Sequence, residues 1–189
     1  GNEVTFAGKH WHVDKVRTGL TPVQIPHPPI WIAAQSTGAV RRAAAMGDAC
    51  LIGPQPSWDD FHSLAIQYAH ALDDLGAHSH GRLVANRSIS IAMDKKTAIN
   101  QAIVAGEAKA KMYSAFNMQE STTVDMGLSG SRELSDWAIV GNPQDCVDLI
   151  AGCHERDGLS YIGLNCLNLP QEHSARLEYL QMISEEFVH

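Results

Sequence analysis

The stretch PPIWIAAQSTGAVRRAAAMGDACLIG, residues 28–53, decides the fold. Ile30 to Ala34 form an apolar run without polar alternation, the pattern of a strand buried on both faces of a parallel sheet. Gln35-Ser36-Thr37-Gly38 interrupts it with small polar residues. A small-residue helix then runs through Met46, its first turn capped by Ser36 or Thr37, and ends at Gly47. Ala49 to Ile52 repeats the buried-strand pattern. Strand, short helix and strand in direct succession imply parallel pairing through a right-handed crossover.

The same unit recurs toward the C-terminus. After the loop Gly53-Pro54-Gln55-Pro56, Ser57-Trp58-Asp59-Asp60 is a capping-box-like helix start. The helix carries Phe61, Leu64, Ala65, Tyr68, Leu72 and Leu75 on one face until Gly76. Within Leu83 to Met93, Ser88-Ile89-Ser90-Ile91-Ala92-Met93 predicts a third strand, and Asp94 caps a helix reaching about residue 116. Residues 117–136, rich in Ser, Thr, Gly and Met, predict a long loop. Asn142-Pro143-Gln144-Asp145 starts a helix that Gly158 closes. Tyr161 to Cys166 is a fourth strand, and beyond Pro170 a last helix carries Leu177, Leu180, Ile183 and Phe187 on its apolar face.

Upstream, residues 1–29 predict an extended lead-in, because Gly8, Gly19, Pro22, Pro26, Pro28 and Pro29 disfavour helix. The expected organisation is one α/β domain over 1–189. It comprises that lead-in, three β/α units over 30–116, the loop 117–136, and a last helix, strand and C-terminal helix over 137–189. Alternating strands and helices fit an open doubly wound sheet or half of a closed barrel, and periodicity does not choose between them.

Composition narrows the function classes. The 189 residues carry a formal net charge of −7 with no Lys/Arg stripe, against a nucleic-acid partner. No apolar run is long enough for a membrane span. Cys50, Cys146, Cys153 and Cys166 form no CxxC pair, so reduced buried thiols and a cytoplasmic location are expected. The chain opens on Gly1 without a signal-peptide pattern, which suggests processing, a tag remnant or a segment of something longer. GxSxG, Walker and GxGxxG motifs are absent. The pairs His10/His12 and His78/His80 lack Cys or carboxylate partners at ligand spacing, so no metal is expected.

Residues 28–53, with VTFAGKHWHVDKV (4–16) and TPVQIPHPP (21–29), resemble the bacterial luciferase-like monooxygenase family. The resemblance implies the C-terminal half of a (β/α)8 TIM barrel. Ile30–Ala34 would be strand five, Ala49–Ile52 strand six, residues 84–93 strand seven and Tyr161–Asn165 strand eight. Strands one to four would be missing. A half-barrel exposes strand edges and an apolar inner face, so self-association as an oligomer, or pairing with a complementary barrel half, is expected.

The resemblance also implies an FMN site at Ala34, Gln35, Ser36, Thr37 and Gly38, with Ile52, Gly53 and Pro54 beside the flavin ring and substrate. Helix physics agrees, since first-turn amides and the dipole attract an anion and Ser36 adds a hydroxyl, although both hydroxyl residues could equally be ordinary caps. Ala39 replaces a hydroxyl that some relatives supply. Arg41 and Arg42 are left outside the site as surface cations. Catalytic residues are not assigned.

The implied activity is oxidoreductase or monooxygenase chemistry, in which reduced FMN from a separate flavin reductase and dioxygen oxidise a small organic substrate. The 117–136 segment would be a candidate lid. Alternatives are a deazaflavin-dependent hydride-transfer enzyme, a non-catalytic half-barrel that binds flavin or a partner half, and a flavodoxin-like open sheet.

Overall fold

Short apolar segments separated by capped helices build a parallel sheet. The structure, a computed structural model, describes residues 2–17, 19–76, 81–115 and 133–187. Two compact units are present, Gly1–Ile30 and Trp31–His189. In the first, β1 (Val4–Ala7) and β2 (His12–Val16) pair antiparallel, a ladder not expected for a merely extended lead-in.

The second unit runs β3 (Trp31–Ala33), α1 (Thr37–Met46), β4 (Ala49–Ile52), α2 (Trp58–Asp74), β5 (Arg82–Ile91) and α3 (Lys95–Ala115). After a 3-10 turn at Leu134–Asp136 come β6 (Ile139–Gly141), α4 (Pro143–Asp157), β7 (Leu159–Cys166) and α5 (His173–Phe187). Most of the expected 117–136 loop lies outside the described residues, as do His78 and His80. The fold is α/β with an all-parallel sheet. No helix among the described residues is long and apolar enough to cross a membrane.

Local chemistry explains the helix boundaries. Ser57 with Asp60 and Asn142 with Asp145 form reciprocal capping boxes, each side chain satisfying the other residue's backbone amide. Pro143 occupies the first turn of α4, and Gly158 ends it at φ 72, where a side chain would be strained.

β5 organises the sheet. Leu83 pairs with Cys50 of β4 on one edge and Leu159 of β7 on the other, and Ile89 pairs with Ile139 of β6 and with Cys166 of β7. A strand has two edges, so β4 and β6 share one of them in succession while β7 occupies the other. Across the β4 half the order is therefore β3-β4-β5-β7, the order of the chain.

The two faces differ. Ile32, Cys50, Ile52, Leu83, Ala85 and Ile162 join α1 and α2 in the main apolar core, and Ile89, Ile139 and Leu164 pack with α4 and α5. The opposite face carries Trp31, Ala33, Asn86, Tyr161 and Asn165, and Asn165 donates to Asn86 across it at 2.8 Å. At the β6 end α3 covers this face, with Ile99 packed against the cluster of Trp137, Ala138 and Val140 and Ser90 Oγ donating to the Ala98 carbonyl at 2.8 Å.

Three expectations are corrected. β3 is not buried on both faces, because Trp31 and Ala33 are exposed where no described helix covers them. Leu75 falls beyond the end of α2 and is exposed. On α5, Leu177 and Leu180 face outward, and the helix docks through Tyr179, Met182 and Ile183. The aromatic ring there does more than fill space, since Tyr179 OH accepts from the Ile91 amide at 3.2 Å where the β7 ladder has ended. Besides the four strands expected, the parallel sheet contains the three-residue β6.

Candidate functional site

The loops leading into α1, α2, α3, α4 and α5 follow the C-terminal ends of parallel strands, the edge where such sheets bind ligands. β3 ends at Ala33, and the buried Ala34 still donates its amide to the Leu51 carbonyl at 2.9 Å. Ser36 then turns the chain with φ −150 and caps α1, so of the two expected caps it is Ser36 that serves. Its Oγ accepts from the Ala39 amide at 3.4 Å and its carbonyl from the Val40 amide at 2.9 Å. Thr37 and Gly38 are the first helical residues, whose amides have no intrahelical acceptor by geometry. Above Gly38 the space is open, since an added Cβ would meet nothing within 4 Å.

The loop after β4 lies beside this turn. A Cβ on Gly53 would come within 2.6 Å of Gln35 Nε2 and 2.8 Å of Gln55 Oε1. Those two side chains hydrogen-bond to each other over the glycine, Gln35 donating. Thus Ala34–Gly38 and Ile52–Pro54, distant in sequence, meet at one edge. Next to them a groove of about 490 Å³ has Gln35, Ser36 and Thr37 on one side and Gln55, Asp60 and Gln67 on the other.

Gln55, Asp60, Ser63 and Gln67 were not anticipated. Their signal was available in part: Asp60, Ser63 and Gln67 recur at helical spacing on α2, forming a polar stripe beside its apolar face. Neutral polar side chains dominate the lining of the groove, with Pro56 and Leu64 apolar, and the first turns of both α1 and α2 border it. Its one acidic side chain among these lining residues, Asp60, accepts from Ser57 Oγ at 2.6 Å within the capping box. Arg41 is exposed one turn along α1 and lines a neighbouring groove of about 330 Å³ that shares Thr37 and Gln67. Arg42 is also exposed.

The cysteines are free thiols. Burial pushes Cys50 up to about 12 and Cys146 up to about 11, the latter aided by Asp145, and it raises Cys153 and Cys166 as well. Such thiols stay protonated at neutral pH and are poor nucleophiles. Among the described residues no group of three or more His, Cys, Asp or Glu side chains is arranged to hold a metal ion.

Comparison with known structures shows the fold. Coenzyme F420 dependent tetrahydromethanopterin reductase from Methanopyrus kandleri superposes with a TM-score of 0.70 at 15% identity, over 100% of this chain and 58% of its own. A monooxygenase from Streptomyces bottropensis gives 0.67 at 19% identity, over 97% and 55%. The oxygenating constituent of 3,6-diketocamphane monooxygenase from Pseudomonas putida, in complex with FMN, gives 0.65 at 15% identity, over 98% and 57%. The chain spans little more than half the length of these proteins. No curated protein matches it in sequence. The family profile described as luciferase-like monooxygenase matches residues 1–159, and the chain belongs to that family.

Proposed function

We propose that this chain is the C-terminal half of a luciferase-like (β/α)8 barrel and carries the phosphate subsite of an FMN-dependent oxidoreductase. The observation that carries the reading is the α1 turn. At the C-terminal edge of strands ordered β3-β4-β5-β7, Ser36 caps the helix while Thr37 and Gly38 begin it beneath open space.

The residues fit a phosphate ester. Two first-turn amides, the Ser36 and Thr37 hydroxyls and the positive end of α1 are donors suited to an anion. Ala34 and Gly38 would frame the turn. Gln35 would close its side toward Ile52, Gly53 and Pro54, beside which the ring and substrate would lie. The bound flavin would supply redox chemistry with dioxygen toward a small organic substrate. This chain's residues would anchor, orient and exclude water, and the rest of the catalytic constellation would come with a completed barrel.

A deazaflavin coenzyme is the second reading, favoured by the coenzyme F420 dependent neighbour and by a phosphate subsite that would serve either cofactor. The test is fluorescence titration of the chain with FMN, riboflavin and coenzyme F420. FMN binding at least about 10-fold tighter than riboflavin, reversed by inorganic phosphate, supports the subsite. Equal affinity for FMN and riboflavin would reject it, and preference for coenzyme F420 would select the second reading.

A further inference from the structure

Arg87 occupies the one gap on the shared edge of β5. The β4 ladder ends at Ala85 and the β6 ladder begins at Ile89, leaving Arg87 at the centre of the interval. Its side chain is fully buried, with the guanidinium carbon 4.4 Å from the Trp58 ring centroid and 4.9 Å from that of Phe61. Nη1 donates to the Pro56 carbonyl at 2.6 Å, to that of Trp137 at 3.3 Å and, at 3.5 Å, to that of Pro54. One guanidinium thereby bridges the segment leaving β4 to the residue entering β6.

An apolar residue would fill this gap at far lower desolvation cost than a cation. What arginine adds is direction, a planar fork stacked on aromatic rings and aimed at carbonyls. Two of those carbonyls belong to Pro54 and Pro56, the neighbours of Gln55 in the chain. Gln55 in turn accepts from Gln35, next to the Ser36 cap.

Resting on the proposed phosphate subsite, we propose that Arg87 is a positioning residue for it. Arg87 fixes Pro54 and Pro56, the two prolines aim Gln55, and the Gln55–Gln35 hydrogen bond holds the α1 turn against the loop after β4. Arg87 touches no ligand in this scheme and acts through Gln55.

The test uses the 189-residue chain with Gln55→Ala, Arg87→Lys and the double variant, titrated with FMN and melted in parallel. Gln55→Ala weakens FMN binding ~3- to 10-fold, the range for losing one hydrogen bond, with an unchanged melting temperature. Arg87→Lys weakens it comparably, and the double variant binds no worse than the weaker single variant, because both lie on one path. Losses that multiply in the double variant overturn the proposal. So does wild-type affinity in Arg87→Lys. Should the unsubstituted chain bind neither FMN nor phosphate, the phosphate subsite itself is rejected, and amide NMR without ligand decides the linkage. The Gln35 side-chain amide and the Ser36–Gly38 resonances then shift together in both single variants if it holds, and stay fixed in Arg87→Lys if it does not.

Discussion

The rings of Trp31 on β3 and Tyr161 on β7 stack with their centroids 5.9 Å apart and their planes 28° from parallel. In the order β3-β4-β5-β7 these strands stand three steps apart, a separation of about 14 Å in a flat sheet. Side chains rising from a flat sheet would not meet, so the sheet curls about this face. Between the two strands, on the same face, Ala49 and Val84 are buried, and Arg82 donates to Tyr161 OH at 2.6 Å. The stacked pair thus closes over the strands between them on this face.

Because Trp31 remains 49% exposed and Tyr161 46% exposed, the concave face offers aromatic surface for association. The chain is expected to sediment as a dimer or larger at micromolar concentration, shifting toward monomer on dilution. Replacing both Trp31 and Tyr161 with Asp should abolish the association and remove about 1 kcal/mol of ring pairing. A concentration-independent monomer in analytical ultracentrifugation would reject the exposed face as an association surface.

Thiol reactivity follows burial. Cys50, Cys146 and Cys153 are at most 2% exposed, and burial raises all three above the ordinary thiol range. At pH 8 iodoacetamide should label Cys166, the half-buried one, first, and reach the other three only at the rate of unfolding. Peptide mass spectrometry with and without denaturant reads this directly. Rapid labelling of Cys50 in the folded chain would contradict the core assignment.

Asp157, at the end of α4, has a fully buried side chain that accepts from Arg156 Nη2 at 2.9 Å and pairs with His62 of α2. Burial pushes its carboxyl up, but the hydrogen bonds and charges of Arg156 and His62 outweigh this and hold it below the usual value. A carboxyl with a lowered folded pKa stabilises above its unfolded pKa, near 3.8, and that contribution is lost as pH falls through the lower folded value. Denaturant midpoints should therefore fall below about pH 4. In Asp157→Asn the acid-dependent part of that fall should shrink, with about 1–2 kcal/mol lost at pH 7 because the Arg156 partner is half exposed. An unchanged acid limb in the variant would show that other carboxylates set it.

The parts of this architecture that were legible in sequence are those built from neighbours in the chain. Capping at Ser57/Asp60 and Asn142/Asp145 uses residues three apart, and the helix starts read from them are the observed ones. The turn Gln35–Gly38 was legible for the same reason. The three residues of β6 fall below the length at which an apolar run signals a strand. On α5, apolar residues lie on more than one side, and only the position of β5 and β7 selects Tyr179 and Ile183 over Leu177 and Leu180. Arg87 and the Gln35–Gln55 bridge depend on partners 20 to 50 residues away, which no local pattern encodes.

Ser36 has two possible roles that a single alanine substitution confounds, since Ser36→Ala removes both the cap of α1 and a donor to a bound phosphate. Ser36→Asp separates them. Aspartate caps helices as well as serine does and its charge suits the helix dipole, so the melting temperature should hold or rise slightly. The same carboxylate places a negative charge where an anion would sit, within the first turn of a helix whose groove holds no cation among its described lining residues. FMN affinity should then fall at least ~10-fold by like-charge repulsion, while riboflavin affinity stays within a factor of about 2. Ser36→Ala should weaken FMN by a smaller factor and cost about 1 kcal/mol of stability. Were Ser36→Asp to bind FMN as tightly as the unsubstituted chain, the α1 turn would be an ordinary capped helix start and the phosphate would have to lie elsewhere.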